Sequence, residues 1–339
     1  MKAYVLHAVK ALNYEDVDRP KCNSGWCIVK VKAAGICSSD IPRVFTKGTY
    51  HFPTIPGHEF SGIVDSVADK ENEYLIGKRV GIFPLIPCKK CPECLEGNYE
   101  MCANYDYIGS RRDGAFAEFV AVPIWNLIEL ADGTPFTNAA MMEPLAVALH
   151  AIKRMNIKKT DHVAIIGTGM IAFAAAQWAV KIGAAKVTVL GRNESKRKIA
   201  EELPSVSYDI LQNCNEEFDA VLEAVGSQVA IDKSINLTKA SGRLVLMGNP
   251  EGDIILKQDT YWRILRKQLL VTGTWNSSYK SGEPCDWTEV KDVLAEHSIF
   301  VRNLISHVFL QEKLPDGLKV MCEHKEPYCK VMTIWNEER

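Results

Sequence analysis

The chain has 339 residues, 47% hydrophobic and 24% charged, with 40 basic against 42 acidic residues and a net charge of −2. That length exceeds one ordinary core and predicts two domains or one large α/β unit. The balanced charge offers no basic field to nucleic acid or an anionic membrane surface, and no run reaches the ~18 apolar residues that a spanning helix needs. The opening MKAYVLHAVK is too short for a signal peptide. The expectation is a cytoplasmic protein whose eleven cysteines stay reduced. Their odd number also argues against complete disulfide pairing.

Residues 1 to about 145 read as strands. WCIVKVKAAGI, FSGIVDSV, RVGIF and AFAEFVAVP are β-rich runs punctuated by Pro and Gly, the pattern of an all-β, barrel-like domain. The residues that carry chemistry are scattered through them. AAGICSSDIPRVF holds Cys37, Ser39 and Asp40, PGHEF holds Gly57, His58 and Glu59, and MMEPLAVALH holds Glu143. Cys37 and His58, with Glu59 or Glu143, could supply the three ligands and open position of a catalytic zinc. Taken singly, each has a plainer reading: a buried Cys is ordinary core, and an adjacent His-Glu is an ordinary surface pair.

One segment is dense instead. CKKCPECLEGNYEMC places Cys88, Cys91, Cys94 and Cys102 in a C-x2-C-x2-C-x7-C spacing. Such spacing suits tetrahedral thiolate ligation at ~2.3 Å. Four thiolates close the shell and leave no position for water or substrate, so the reading is a structural zinc. An iron–sulfur cluster uses similar spacing and stays open as the alternative.

From about 155 to 275 the pattern changes. HVAII, KVTVL, FDAVLEAV, RLVLMG and QLLVTGT are short apolar runs separated mostly by helical segments, as in a parallel sheet covered on both faces. HVAII leads into Gly167-Thr168-Gly169-Met170-Ile171-Ala172, a G-x-G-x-x-A turn before an Ala-rich helix. The first Gly permits the tight turn, the second lets a pyrophosphate approach, and the Ala lets helix pack on strand. The phosphates then meet the helix N-terminus. KVTVL ends at Gly191-Arg192, where an acidic residue would bind a ribose 2′-hydroxyl. Its absence, with Arg192 followed by Lys196 and Arg197, predicts NADP(H) over NAD(H), because Arg forks onto phosphate. The alternative is that these cations form a solvated helix start. TWNSSY, from Thr274, follows the last strand, and the final sixty or so residues are mixed.

GICSSD, GHEFSG, the four-cysteine segment, EPLAVALHA and GTGMI occur in this order. In these the chain resembles, over nearly its whole length, the zinc-dependent medium-chain dehydrogenase/reductase family of alcohol and sorbitol dehydrogenases. The resemblance implies a GroES-like catalytic barrel over 1–145, a Rossmann domain over 146–278 and a return to the first domain over 279–339. It implies two zinc ions per chain. Cys37 and His58 would be ligands of the catalytic one and Glu59 its third ligand, with Glu143 as a ligand or the group that orients its water. Asp40 would fix the His58 tautomer, Ser39 would pass the substrate proton outward, and Lys330 would reach the pyrophosphate. Thr274 would border the nicotinamide, and Trp275 and Asn276 the substrate. Zinc would then lower the alcohol's pKa as a Lewis acid while hydride passes to the nicotinamide. A homodimer or homotetramer is expected.

Two departures stand out. Pro42 occupies the place where many members finish the proton relay with a His, and Gly191 stands where polyol members mostly carry an acidic residue. SSDIPRVF, YDYIGSRRDGAFAEF and LRKQLLVTGTWNSSY are similar to the polyol and polyol-phosphate members. A polyol or ketose, with or without a phosphate, is therefore the expected substrate. Arg43, Arg111 and Arg112 are the candidate phosphate cations, although Arg111 and Arg112 could equally bond within their own loop. The competing readings are a simple secondary alcohol as substrate, and a non-catalytic NADP(H)-binding zinc protein.

Overall fold

The computed structural model describes residues 1–336. Two compact units make up the chain, one from Met1–Glu143 with Ser278 onward, the other Pro144–Ser277. Among the described residues no helix is long and apolar enough to cross a membrane.

In the first unit, the strand Trp26–Ile36 is the hub. It pairs antiparallel with Glu59–Val67, Phe119–Pro123 and Lys330–Ile334, within a seven-stranded sheet. Its run of Val, Ile and Ala lets both faces be covered: eight of its eleven positions, from Cys27 to Ile36, are buried, in a core shared with Phe60, Val80, Phe116 and Trp335. Trp335 closes this core from the C-terminal side; its backbone N–H donates to Lys32 O at 3.0 Å and its indole N–H to Thr333 Oγ1 at 2.8 Å.

Register sets the chemistry. Gly35 pairs with Glu59, and Ile36 pairs with Val331. Cys37 directly follows Ile36 and Lys330 directly precedes Val331, so three neighbouring strands deliver Cys37, Glu59 and Lys330 to one end of the sheet. Gly35 is required there by space: a Cβ would lie 2.5 Å from Glu59 Oε2. Gly57, at φ +98°, turns the chain into His58, and a Cβ on it would strike the Phe116 ring and backbone.

The second unit is a parallel six-stranded sheet ordered Val206–Ile210, Lys186–Gly191, His162–Ile166, Phe218–Glu223, Thr238–Leu246 and Leu270–Gly273. The helices Met170–Ile182, Gln228–Leu237 and Gln258–Arg266 make crossovers. Chain order reverses beside His162–Ile166, and the crevice beyond the carboxyl ends at such a switch point is where doubly wound sheets bind ligands. The edge strand Val206–Ile210 was not legible in the sequence. VSYDI carries exposed Ser207 and Asp209 and buries only Tyr208 fully, too weak an alternation to register as a strand.

Candidate functional site

Cys37, His58 and Glu59 form one donor cluster, with one ligand atom from each lying within 4.8 Å of the others. A short helix, Asp40–Phe45, follows Cys37. Pro42 sits in its first turn, where a missing N–H costs nothing. Asp40 is fully buried. Its Oδ2 accepts from Cys37 N at 2.9 Å, while its Oδ1 accepts from Arg43 Nη1 at 2.9 Å and lies 3.6 Å from His58 Nδ1. Asp40 thus holds the Cys37 loop directly and sets a carboxylate facing His58 Nδ1, which is buried without a hydrogen-bond partner among the described residues, close enough to act as the outer partner of a ligand imidazole. Arg43 Nη1 also donates to Ser39 Oγ at 3.0 Å, since positions three and four apart share a helix face.

The two buried carboxylates behind the cluster each hold a cation, Asp40 the Arg43 guanidinium and Glu59 the Lys330 ammonium. Lys330 corrects an expectation. Its side chain is buried, and Nζ donates to Glu59 Oε2 and to Ile36 O (3.2 Å). Burial alone would push this lysine down, but the charges of Glu59 and Cys37 hold it above its usual value. Pairing across the sheet, and not a free ammonium waiting for a pyrophosphate, accounts for its position.

Glu143 stands outside the three-residue donor cluster. Its Oε1 accepts from Tyr107 Oη at 3.1 Å, and the Tyr107 ring meets the His58 ring edge-on at 5.7 Å. Tyr107 was missed by sequence reasoning. It lies in a two-residue strand, Asp106–Tyr107, and a lone Tyr carries no spacing signal.

Burial dominates the electrostatics. It pushes the Cys37 thiol up to about 12, with Glu59's charge adding to it, and pushes Glu143 up to about 7, again with help from Glu59. Tyr107 is raised well above the usual phenol by burial and by Glu143. Thiol, imidazole and carboxylates therefore converge at a largely buried place where Arg43 and Lys330 only partly offset the negative charge of the ionised donors. A divalent cation supplies the missing positive charge and favours the deprotonated donors, so the residues fit a resident zinc.

The four-cysteine segment folds on itself. Cys91 precedes the short helix Pro92–Leu95. Cys88 Sγ lies 4.0 Å from Cys94 Sγ, and Cys91 Sγ 3.9 Å from Cys102 Sγ. Thiolates ~2.3 Å from a tetrahedral ion lie about 3.8 Å apart, whereas a disulfide needs roughly 2.05 Å. The backbone N–H of Lys90 and neighbouring N–H groups hold Cys88 down to about 6, while burial pushes Cys94 up to about 12. All four donors are thiols and all four converge, which fits a closed, structural metal shell.

Arg111 and Arg112 do other work than phosphate binding. Arg111 lies between the Tyr50 and Tyr105 rings and donates to Tyr105 O at 3.2 Å. Arg112 pairs with Asp106 at 2.7 Å and covers Trp26, which opens the strand whose far end leads to Cys37. Local pairing within the loop wins over a free guanidinium for both. Arg43, with only Nη1 engaged among the described residues, is the cation beside the cluster.

In the second unit the strand His162–Ile166 runs into Gly167 at φ +129°, and Gly169 is the N-cap of the helix Met170–Ile182. A Cβ on Gly169 would meet nothing within 4 Å, so the approach to the helix start is open at that residue, just before buried Met170 and half-buried Ile171. That fits a dinucleotide's phosphates. Arg192 is exposed, with no hydrogen-bond or ion-pair partner among the described residues. Arg197 differs from expectation: it pairs with Glu194, donates to Tyr208 O at 3.0 Å and covers the Tyr208 ring, so it braces a strand and is not free for a 2′-phosphate. Thr274 Oγ1 is buried without a partner among the described residues. Trp275 is exposed, and Asn276, at φ +56°, accepts from Ser277 N through its own Oδ1.

Comparison with known proteins identifies the family. Residues 23–132 match the alcohol dehydrogenase GroES-like domain family and residues 170–296 match the zinc-binding dehydrogenase family. The chain belongs to the zinc-dependent medium-chain alcohol and polyol dehydrogenases, a family of oxidoreductases with a GroES-like domain and a Rossmann domain. It is 35% identical over 291 residues to the galactitol 1-phosphate 5-dehydrogenase of Escherichia coli strain K12, covering 82% of this chain and 84% of that one. The crystal structure of galactitol-1-phosphate dehydrogenase from Escherichia coli superposes with a TM-score of 0.90 at 31% identity, covering 98% of this chain and all of that one. A zinc-binding dehydrogenase from Sinorhizobium meliloti bound to NADP superposes with a TM-score of 0.88 at 28% identity, covering 98% of each chain.

Proposed function

We propose that the chain interconverts a polyol phosphate and its ketose phosphate with NADP(H), through a zinc held by Cys37, His58 and Glu59. A second zinc in the Cys88, Cys91, Cys94 and Cys102 lobe would be structural. The carrying observation is Arg43 beside the donor cluster. One of its nitrogens is engaged by Ser39 and Asp40, leaving the rest of a planar fork, which matches phosphate oxygens. The likeness to a galactitol 1-phosphate dehydrogenase supports the phosphorylated substrate. The NADP-bound relative, with Gly191 and Arg192, supports the cofactor.

Zinc at this site would polarise the substrate oxygen as a Lewis acid, and the nicotinamide would carry the hydride. The protein's own groups set the geometry. Arg43 occupies one lone pair of Ser39 Oγ, which leaves one lone pair and the hydroxyl proton to face the substrate oxygen. Asp40 orients His58 from behind. Lys330 neutralises and steers Glu59, and Tyr107 holds Glu143 at the edge of the cluster. Pro42 has no proton to give or take, so a proton passed to Ser39 would leave by water, the ribose hydroxyl or another group.

The test is a screen of ketoses, polyols and their phosphates with both nicotinamide cofactors, repeated with Arg43→Gln. Losing a charged hydrogen-bond donor is worth about 1.5–3 kcal/mol, so KM for the phosphorylated substrate should rise roughly ten- to a hundredfold while that of its neutral analogue barely changes. Equal losses on both substrates would mean damage to the metal centre through Asp40 and would defeat the phosphate assignment.

A further inference from the structure

Tyr208 was absent from the sequence reading, yet it decides what position 191 can be. Gly191 ends its strand at an ordinary backbone angle, so no left-handed conformation demands a glycine there. Space demands it. A Cβ on Gly191 would fall inside the Tyr208 phenol, and Thr168 Cγ2 would stand 2.9 Å away on another side. The phenol cannot easily swing aside. Tyr208 is 8% exposed, its hydroxyl donates to Asn193 O at 2.5 Å, and the Arg197 guanidinium covers its ring at 5.0 Å. Arg197 is in turn anchored to Glu194 and to Tyr208 O.

Position 191 is where a doubly wound fold places a carboxylate to read a ribose 2′-hydroxyl. We infer that Tyr208, locked by Asn193 and Arg197, is the specificity-determining residue of the adenosine subsite: it fills the volume a carboxylate side chain would need and commits the site to a nucleoside 2′-phosphate. This deepens, and rests on, the NADP(H) reading above. Arg192 next door supplies the unpaired cation. Specificity of this kind works by exclusion as well as attraction. The position cannot be converted to an acidic one by a single substitution, because the phenol must leave first.

The experiment measures binding of 2′,5′-ADP and 5′-AMP by titration calorimetry, and melting temperature, for the wild type and four variants. The variants are Gly191→Asp, Tyr208→Val, the Gly191→Asp/Tyr208→Val double variant, and Gly191→Ala. Overpacking a filled site is destabilising. Gly191→Ala and Gly191→Asp should therefore lower the melting temperature by several degrees and weaken both nucleotides. The double variant should recover stability relative to Gly191→Asp and prefer 5′-AMP, while the wild type prefers 2′,5′-ADP by about tenfold or more. If Gly191→Ala melts with the wild type, or Gly191→Asp alone binds 5′-AMP as well as the double variant does, Tyr208 is no barrier and the inference falls. If instead the wild type prefers 5′-AMP, the cofactor reading falls. The melting comparison of single and double variants still reports whether Tyr208 closes the position. Tyr208→Val alone fixes the cost of removing the ring, so that an unstable double variant can be read against it.

Discussion

The two metal-fitting centres of the first unit are built in opposite ways. The four-cysteine lobe draws every donor from fifteen consecutive residues, Cys88 to Cys102, and needs only a short helix and two turns to close. The Cys37, His58 and Glu59 cluster draws its donors from either side of a strand pair and adds Lys330 from nearly three hundred residues further on. The lobe is chemically uniform, and its donors face one another. The cluster is mixed, and each donor is backed by a second group: Asp40 behind Cys37 and facing His58, Lys330 behind Glu59. A closed thiolate shell needs no such backing because no substrate must displace anything in it. A centre that does chemistry must be held in orientation while one position stays open.

The sharpest test of that contrast is to remove one donor from each. Cys37→Ala should release one metal equivalent and lower kcat/KM by roughly 10³-fold, with the melting temperature nearly unchanged. Cys94→Ser should also release one equivalent, but lower the melting temperature while folded molecules keep activity within about twofold. Metal analysis beside calorimetry reads both. A lobe variant that folds normally yet loses turnover would erase the distinction.

The backing groups come next. In metal-free protein, Lys330→Met strands the buried Glu59 carboxylate, and breaking a buried pair costs about 3–5 kcal/mol. Denaturant unfolding should show that loss, and adding Glu59→Gln should recover much of it. No recovery would mean Lys330 acts through packing alone. Asp40→Asn keeps the shape but removes the charge behind His58, and loss of such a partner typically weakens a metal site 10–100-fold. Competition with a chelator would measure it. The smallest effect belongs to Arg112→Ala. With its guanidinium already paired to Asp106 and covering Trp26, KM for a phosphorylated substrate should change by less than about twofold, in contrast to Arg43→Gln.

Legibility followed the same divide. The cysteine lobe and the Gly167–Ala172 turn could be read directly, because their residues are local and their spacing is itself the geometry. Cys37, His58 and Glu59 could be singled out only through resemblance to a family, since nothing in the distance between Cys37 and His58 says that two strands bring them together. Tyr107 and Tyr208 could not be read at all. Each lies on a short or polar strand, and each matters through one contact made across the fold. Arg197 and Lys330 were legible as cations but not as paired ones, while for Arg111 and Arg112 local pairing stood open beside phosphate binding until the fold decided it.

By itself the sequence determined the class of fold, the glycine turn that opens to a dinucleotide and the four thiols of the lobe, all consequences of periodicity and local spacing. Tertiary structure alone decided which charges are free. Pairing of Ile36 with Val331 sends Lys330 to Glu59, and pairing of Val189 with Tyr208 puts a phenol in the space beside Gly191. Strand register is a long-range choice, made by which faces bury together, and a cation's partner or a glycine's necessity exists only once that choice is made.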